Sequence, residues 1–197
     1  MSDAGDRLLH PLLATRWSPT TFDVAAQIIS AAEVESLLEA ARWAPSAGNS
    51  QPWAFIVGRR GEPDHDRLAR HLAKSSGAWA PTAGLLVANL SHRFVMDTDW
   101  DYSEFSIYDL GQAVAHMTFQ AQSLGLSVRQ FRAFDREGIA AEFDVPPHWE
   151  VTTMSAIGRA SAEGSRDAAT PLDGEHPSRD RRPVTDVRWP QAARDLR

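Results

Sequence analysis

A single domain mixing helices and strands is the fold class this sequence predicts, and three observations carry it. A chain of 197 residues with 43% hydrophobic content can bury a proper core, and its length fits one domain better than two. Apolar residues recur at helical spacing over 30–44 and again over 104–124. Continuous apolar runs at 53–57 and 83–90 have the length and character of buried strands. The whole of 1–197 is read as one domain, with 159–197 an extended C-terminal segment.

Composition excludes several chemistries. The chain has no cysteine, which removes disulfides, thiolate nucleophiles, cysteine-ligated zinc and iron–sulfur clusters. Redox chemistry must then come from a bound organic cofactor or a metal on other ligands. The start carries no basic segment followed by a long apolar run, and no run approaches membrane-spanning length. A soluble, cytoplasmic protein without a membrane partner is expected. A net charge of −6 argues against a general nucleic-acid surface. Lys74 is the sole lysine, and arginine is the better bidentate phosphate ligand.

In chain order, Leu8, Leu9, Leu12 and Leu13 predict a short helix over 8–17, with Pro11 near its start and Pro19 ending it. Arg16 and Ser18 are a helix-end charge and a turn hydroxyl, or a pair able to bind a phosphate monoester. Ser30 and Glu33 form a capping box, and Val34, Leu37, Leu38, Ala41 and Ala44 continue at helical spacing into Pro45. The loop 44–53 that follows holds two prolines, Gly48, and the polar Ser46, Asn49, Ser50 and Gln51. It reads equally as a helix stop with a turn or as a rigid binding loop.

The strand 53–57 stops near Gly58 and Gly61, and 62–73 is a helix with Leu68, Ala69 and Leu72 inward. The strand 83–90 is central; Trp79 in the loop before it is either exposed or tucked in. Residues 92–108 are the least regular and the richest in aromatics, and Trp100 and Tyr102 are candidates for a substrate-facing wall. The run Asp97 to Asp101 superficially resembles a calcium loop, but Tyr102 and Tyr108 stand where glycine and glutamate are required, so no metal site is expected. The helix 104–124 places Ile107, Leu110, Ala113, Val114, Met117, Ala121 and Leu124 on one broad face. Small residues Gly111, Ala113 and Ala115 suit close packing or a subunit interface. Gly125 should end it. An extended stretch 127–132, a helix 136–143 and a strand 149–157 complete the core. The tail reads as a flexible extension in which Arg179, Arg181 and Arg182 cluster and Val184, Val187 and Trp189 predict a short docking strand.

No G-x-S-x-G elbow, Walker loop or H-E-x-x-H is present. Gly58-Arg59-Arg60-Gly61 does not make a dinucleotide fingerprint.

Taken together, Arg16-Trp17-Ser18, the loop Ala44 to Trp53, Asp109-Leu110-Gly111 through Gly125-Leu126, and Arg179 to Pro183 resemble the nitroreductase family, whose motifs occur in this order. The resemblance covers nearly the whole chain and implies an α+β fold. Its sheet would be mixed but mostly antiparallel and wrapped by helices, in an intertwined homodimer with two FMN sites at the interface. It further implies that Arg16 and Ser18, with Arg181 and Arg179, hold the FMN phosphate, with Trp17 also among the cofactor-binding residues. Pro45, Ser46 and Asn49 would contact the flavin held mainly by the partner chain. Backbone N–H groups of Val128, Arg129 and Gln130 would lie near the reactive flavin nitrogen.

Thr20 and Thr21 stand where many members carry a second basic residue, and Ser127 to Gln130 replace a proline and glutamate-glycine signature. Lys74 has no secure family counterpart. The implied activity moves electrons from NADH or NADPH through FMN to a small electron-poor acceptor, a nitroaromatic or quinone, by ping-pong turnover. Dehydrogenation of a small metabolite, or flavin storage with little turnover, are the alternatives.

Overall fold

The computed structural model describes residues 8–26, 28–161 and 181–189. Helix α1, Pro11–Thr15, is shorter than the 8–17 periodicity predicts. The reason is local: proline has no N–H and is tolerated only in the first turn, so the helix starts at Pro11. Helix α2, Ala31–Arg42, begins at the expected capping box, with Glu33 N–H donating to Ser30 Oγ and Ser30 N–H to Glu33 Oε2. Helix α3, Pro63–Arg70, stops short of the predicted Ala73. There tertiary pairing wins: Ala73 N–H donates to Ala133 O, and a separate turn, α4 at Lys74–Gly77, follows.

Four strands form one sheet: β1, Trp53–Arg59; β2, Leu85–His92; β3, Ser127–Phe131; and β4, Trp149–Gly158. Their order is β1-β2-β4-β3, and every pairing among these strands is antiparallel. A one-residue slip between Asn89 and Leu90 leaves Thr152 as the extra residue of a bulge, its hydroxyl 2.8 Å from that of Ser91. Strand β2 is central, as its unbroken apolar run predicts, with both faces buried. Strand β1 was expected to be buried as well, but it lies at the sheet edge and is only half-buried.

Helices cover both faces. Leu85, Val87 and Val128 meet α2 and the long helix α5, Ser106–Ser123. Leu86, Ala88, Met154 and Ala156 meet Leu68 of α3 and Ile139 of α6, Arg136–Glu142. Trp79 is tucked into this second layer. Within α5, Leu110, Ala113, Val114, Met117 and Ala121 are buried as expected, whereas Ile107 is exposed. The helix ends in a glycine motif: Gly125 adopts φ 72°, and Leu126 N–H reaches back to Ala121 O at 2.8 Å.

The tail departs from expectation. Val184–Val187 forms a short helix, α7, where alternation predicts a strand; the three-residue spacing of Val184 and Val187 fits one helical turn equally well. At the start of the extension, Phe22 pairs with Ala160, and Asp23 N–H donates to Arg159 O.

Glu142 ties α6 to α3. It accepts from His71 Nε2 and from Arg67 Nε at 3.1 Å and Arg70 Nη1 at 3.2 Å. The His71 hydrogen bond, then the arginines, hold its carboxyl below the ordinary carboxylate value. A depressed folded-state pKa gives stabilisation that is present above the unfolded-state value and lost as pH falls through the folded one. Thermal unfolding from pH 7 down to pH 3 should therefore show a steeper fall in Tm for the wild type than for Glu142→Gln. Parallel curves would remove this contribution.

Candidate functional site

Three elements converge on one cavity of about 390 Å³. Arg16 and Ser18 come from the segment just after α1, Ala115, Thr118 and Phe119 from α5, and Val128 and Gln130 from β3. The segment after α1 is delivered there by a hydrogen bond from Gln122 Nε2 of α5 to Thr15 Oγ1, 3.2 Å. Arg16 Nη1 then donates to Ser18 Oγ at 3.3 Å, so guanidinium and hydroxyl sit side by side. No carboxylate is among the described lining residues. Such a pairing suits an anionic oxygen cluster.

Opposite, the period-two alternation of β3 turns Val128 and Gln130 toward α5 and Arg129 toward the other layer. Gln130 Nε2 donates to Thr118 Oγ1 at 3.3 Å, while Thr118 Oγ1 donates to Val114 O at 2.7 Å. The second amide hydrogen and the amide oxygen of Gln130 remain outside that bond. As an edge strand, β3 uses only alternate N–H groups against β4, leaving the others directed outward. Apolar Val128 and Phe119 beside these donors and acceptors suit a flat heteroaromatic ring with polar edges.

The loop 44–53 is built as a rigid turn. Gly48, Asn49 and Gln51 all adopt positive φ, Ser46 Oγ accepts from Gln51 N–H at 3.0 Å, and Ala47–Asn49 forms a 3-10 turn. Asp109, buried in the first turn of α5, accepts from Ala47 N–H at 3.0 Å and so pins the loop to that helix. Pro45 and Asn49 are exposed, and neither they nor Ser46 line the cavity of their own chain.

Trp17 is half-buried beside the cavity's lining rather than in it. Arg181 is exposed, with no part in the described lining, and Arg179 lies outside the described residues. The aromatic stretch is more regular than expected. Residues 93–102 form a hairpin closed by Val95 N–H to Trp100 O and Tyr102 N–H to Arg93 O, both 2.8 Å. Tyr102 stacks on His92 at 3.8 Å between centroids, and His92 on Trp149 at 4.8 Å. Trp100 is 73% exposed at the hairpin's end. Burial, then the coulombic influence of nearby His148, lowers the His92 pKa.

Thr118 and Phe119 were not singled out by the sequence. Their spacing with Ala115, three and four residues on, marks one helix face, and a threonine within an apolar face was the readable signal.

This is an antiparallel α+β fold with a partly apolar cavity beside the edge strand β3, lined at one end by an arginine and a serine. The chain belongs to the nitroreductase family, whose family model matches residues 13–159. A Streptomyces coelicolor protein provisionally named NADH dehydrogenase/NAD(P)H nitroreductase is 27% identical over 177 residues, 80% of this chain and 86% of the relative. A crystal structure described as an oxidoreductase containing FMN is 28% identical with a TM-score of 0.79, covering 92% of this chain and 90% of that one. A Desulfovibrio desulfuricans protein, provisionally called a nitroreductase and solved with FMN, shares the fold at a TM-score of 0.70. It is 24% identical, with 93% of this chain and 98% of that one covered.

Proposed function

We propose that this protein is an FMN-dependent oxidoreductase that moves electrons from NADH or NADPH to an electron-poor acceptor, a nitroaromatic or quinone, in two half-reactions sharing one site. The observation that carries this reading is the meeting of Arg16 and Ser18 with Val128 and Gln130 in one cavity of a nitroreductase-family chain. Bound FMN would supply the two-electron carrier. The chain's own residues would do the rest. Arg16 and Ser18 hold the phosphate, Val128 and Phe119 pack on the ring, and outward N–H groups of β3 stabilise charge on its polar edge.

In this reading the functional unit is a cytoplasmic homodimer. The loop residues Pro45, Ser46 and Asn49, of which Pro45 and Asn49 are exposed, then reach the flavin of the partner subunit. The exposed Ile107 and Tyr108 of α5, with Trp43 after α2, supply apolar surface for the interface. Trp100 and Tyr102 form the acceptor-facing wall.

Purified protein should be yellow and release about one FMN per chain, and NADH or NADPH should bleach it. Reoxidation by a nitroaromatic or quinone, with parallel double-reciprocal plots, completes the expected result. Bound flavin that no nicotinamide bleaches would defeat the reductase reading and favour storage.

A further inference from the structure

Arg129 was expected to contribute only its backbone N–H, and its side chain lies on the face of the sheet away from the cavity. Its guanidinium sits 4.4 Å over the buried Trp79 ring and donates from Nη1 to Pro19 O at 3.2 Å. Trp79 is itself packed against Phe131 and Phe22, with centroids 5.0 and 6.5 Å away. No carboxylate among the described residues pairs with Arg129, and burial lowers its pKa from the ordinary value. A partly desolvated cation with no carboxylate partner among the described residues is costly in such surroundings, where an apolar side chain would pack at less expense. What Arg129 gains is the carbonyl of Pro19, a fully buried residue next to Ser18.

The segment carrying Arg16 and Ser18 is thus tied at both ends. Thr15 is held by Gln122 of α5, and Pro19 by Arg129 of β3. Three residues after Pro19, Phe22 N–H donates to Thr82 Oγ1 at 3.2 Å, and Thr82 Oγ1 donates to Trp79 O, which joins the chain to the same aromatic hub.

We infer that Arg129 is a positioning residue for the phosphate grip: through Pro19 it presents Arg16 and Ser18 to the ligand's phosphate from the opposite face of the sheet. The inference rests on the flavin reading above. It makes a demand that reading does not, because the effect of Arg129 must appear only with ligands that carry the phosphate.

Riboflavin is FMN without that group, so the two flavins separate the roles. Apoprotein of the wild type, Arg129→Met and Arg129→Lys should be titrated with each, following quenching of flavin fluorescence. Arg129→Met should lose about tenfold in FMN affinity, the loss of ordered charge-assisted contacts, while riboflavin affinity moves less than about twofold. Arg129→Lys, which keeps a charged donor without the flat stacking surface, should fall between. Equal losses for both flavins, or no loss for either, would overturn the inference. If Arg129→Met does not fold, the ratio in Arg129→Lys decides, since a purely structural role leaves that ratio at its wild-type value. Wild-type protein that binds neither flavin would instead sink the flavin reading, and the inference with it.

Discussion

Arg16→Ala should lower FMN affinity roughly 10- to 150-fold, because charge-assisted hydrogen bonds contribute about 1.5–3 kcal/mol each. The guanidinium lines the cavity beside Ser18. Arg16 is half-buried on the surface after α1, so the fold should survive its truncation. Riboflavin should bind the variant nearly as well as the wild type. Ser18→Ala should act in the same direction and less strongly, since a neutral hydroxyl offers a weaker bond than a guanidinium. Titration of the apoproteins by fluorescence quenching reads both. A variant that loses FMN and riboflavin alike would place Arg16 on the ring or the ribityl chain.

The second large effect is expected at Asp109. Its carboxylate is 2% exposed, and it accepts the Ala47 N–H that anchors the loop 44–53 to α5. Asp109→Ala removes a charge-assisted bond, strips a favourable negative charge from a helix N-terminal turn and leaves a small void. A loss of about 2–4 kcal/mol in urea unfolding is expected from these contributions together. Asp109→Asn keeps an acceptor for the Ala47 N–H and should recover part of the loss. The same variants should show increased hydrogen exchange at 46–51, since the loop is fastened to the helix at Ala47. Unchanged exchange there would mean that the three positive-φ residues hold the loop without help from α5.

Residues whose signal is local were legible from the sequence. Ser30 and Glu33 announced α2, Gly125 announced the end of α5, and the unbroken apolar run around Val87 announced a strand buried on both faces. Each depends on a few neighbouring residues and on hydrogen bonds that those neighbours satisfy themselves. The expectations that changed were settled by distant partners. Leu72 and Ala73 left the α3 helix because the backbone around Ala133 and Phe134 offered them hydrogen bonds. Trp53 to Val57 became an edge strand because β2 had a single further side open and β4 took it. Trp79, ambiguous in sequence, was drawn in by Phe22, Phe131 and Arg129.

The candidate site divides in the same way. The family resemblance assigned Arg16, Ser18 and the backbone of Val128 to Gln130 to one flavin and Pro45, Ser46 and Asn49 to the partner's. The cavity brings Arg16, Ser18, Val128 and Gln130 together and leaves the three loop residues outside, and it adds the side chain of Gln130, which the resemblance did not name. By itself the sequence determined the elements, the capping and stop signals and the motifs that mark the family, because these are short-range chemistry. Only the tertiary structure decided which faces meet. The two-residue period of β3 sends Gln130 to the cavity and Arg129 to Trp79, but which side is which depends on the layers that α5 and α3 pack against.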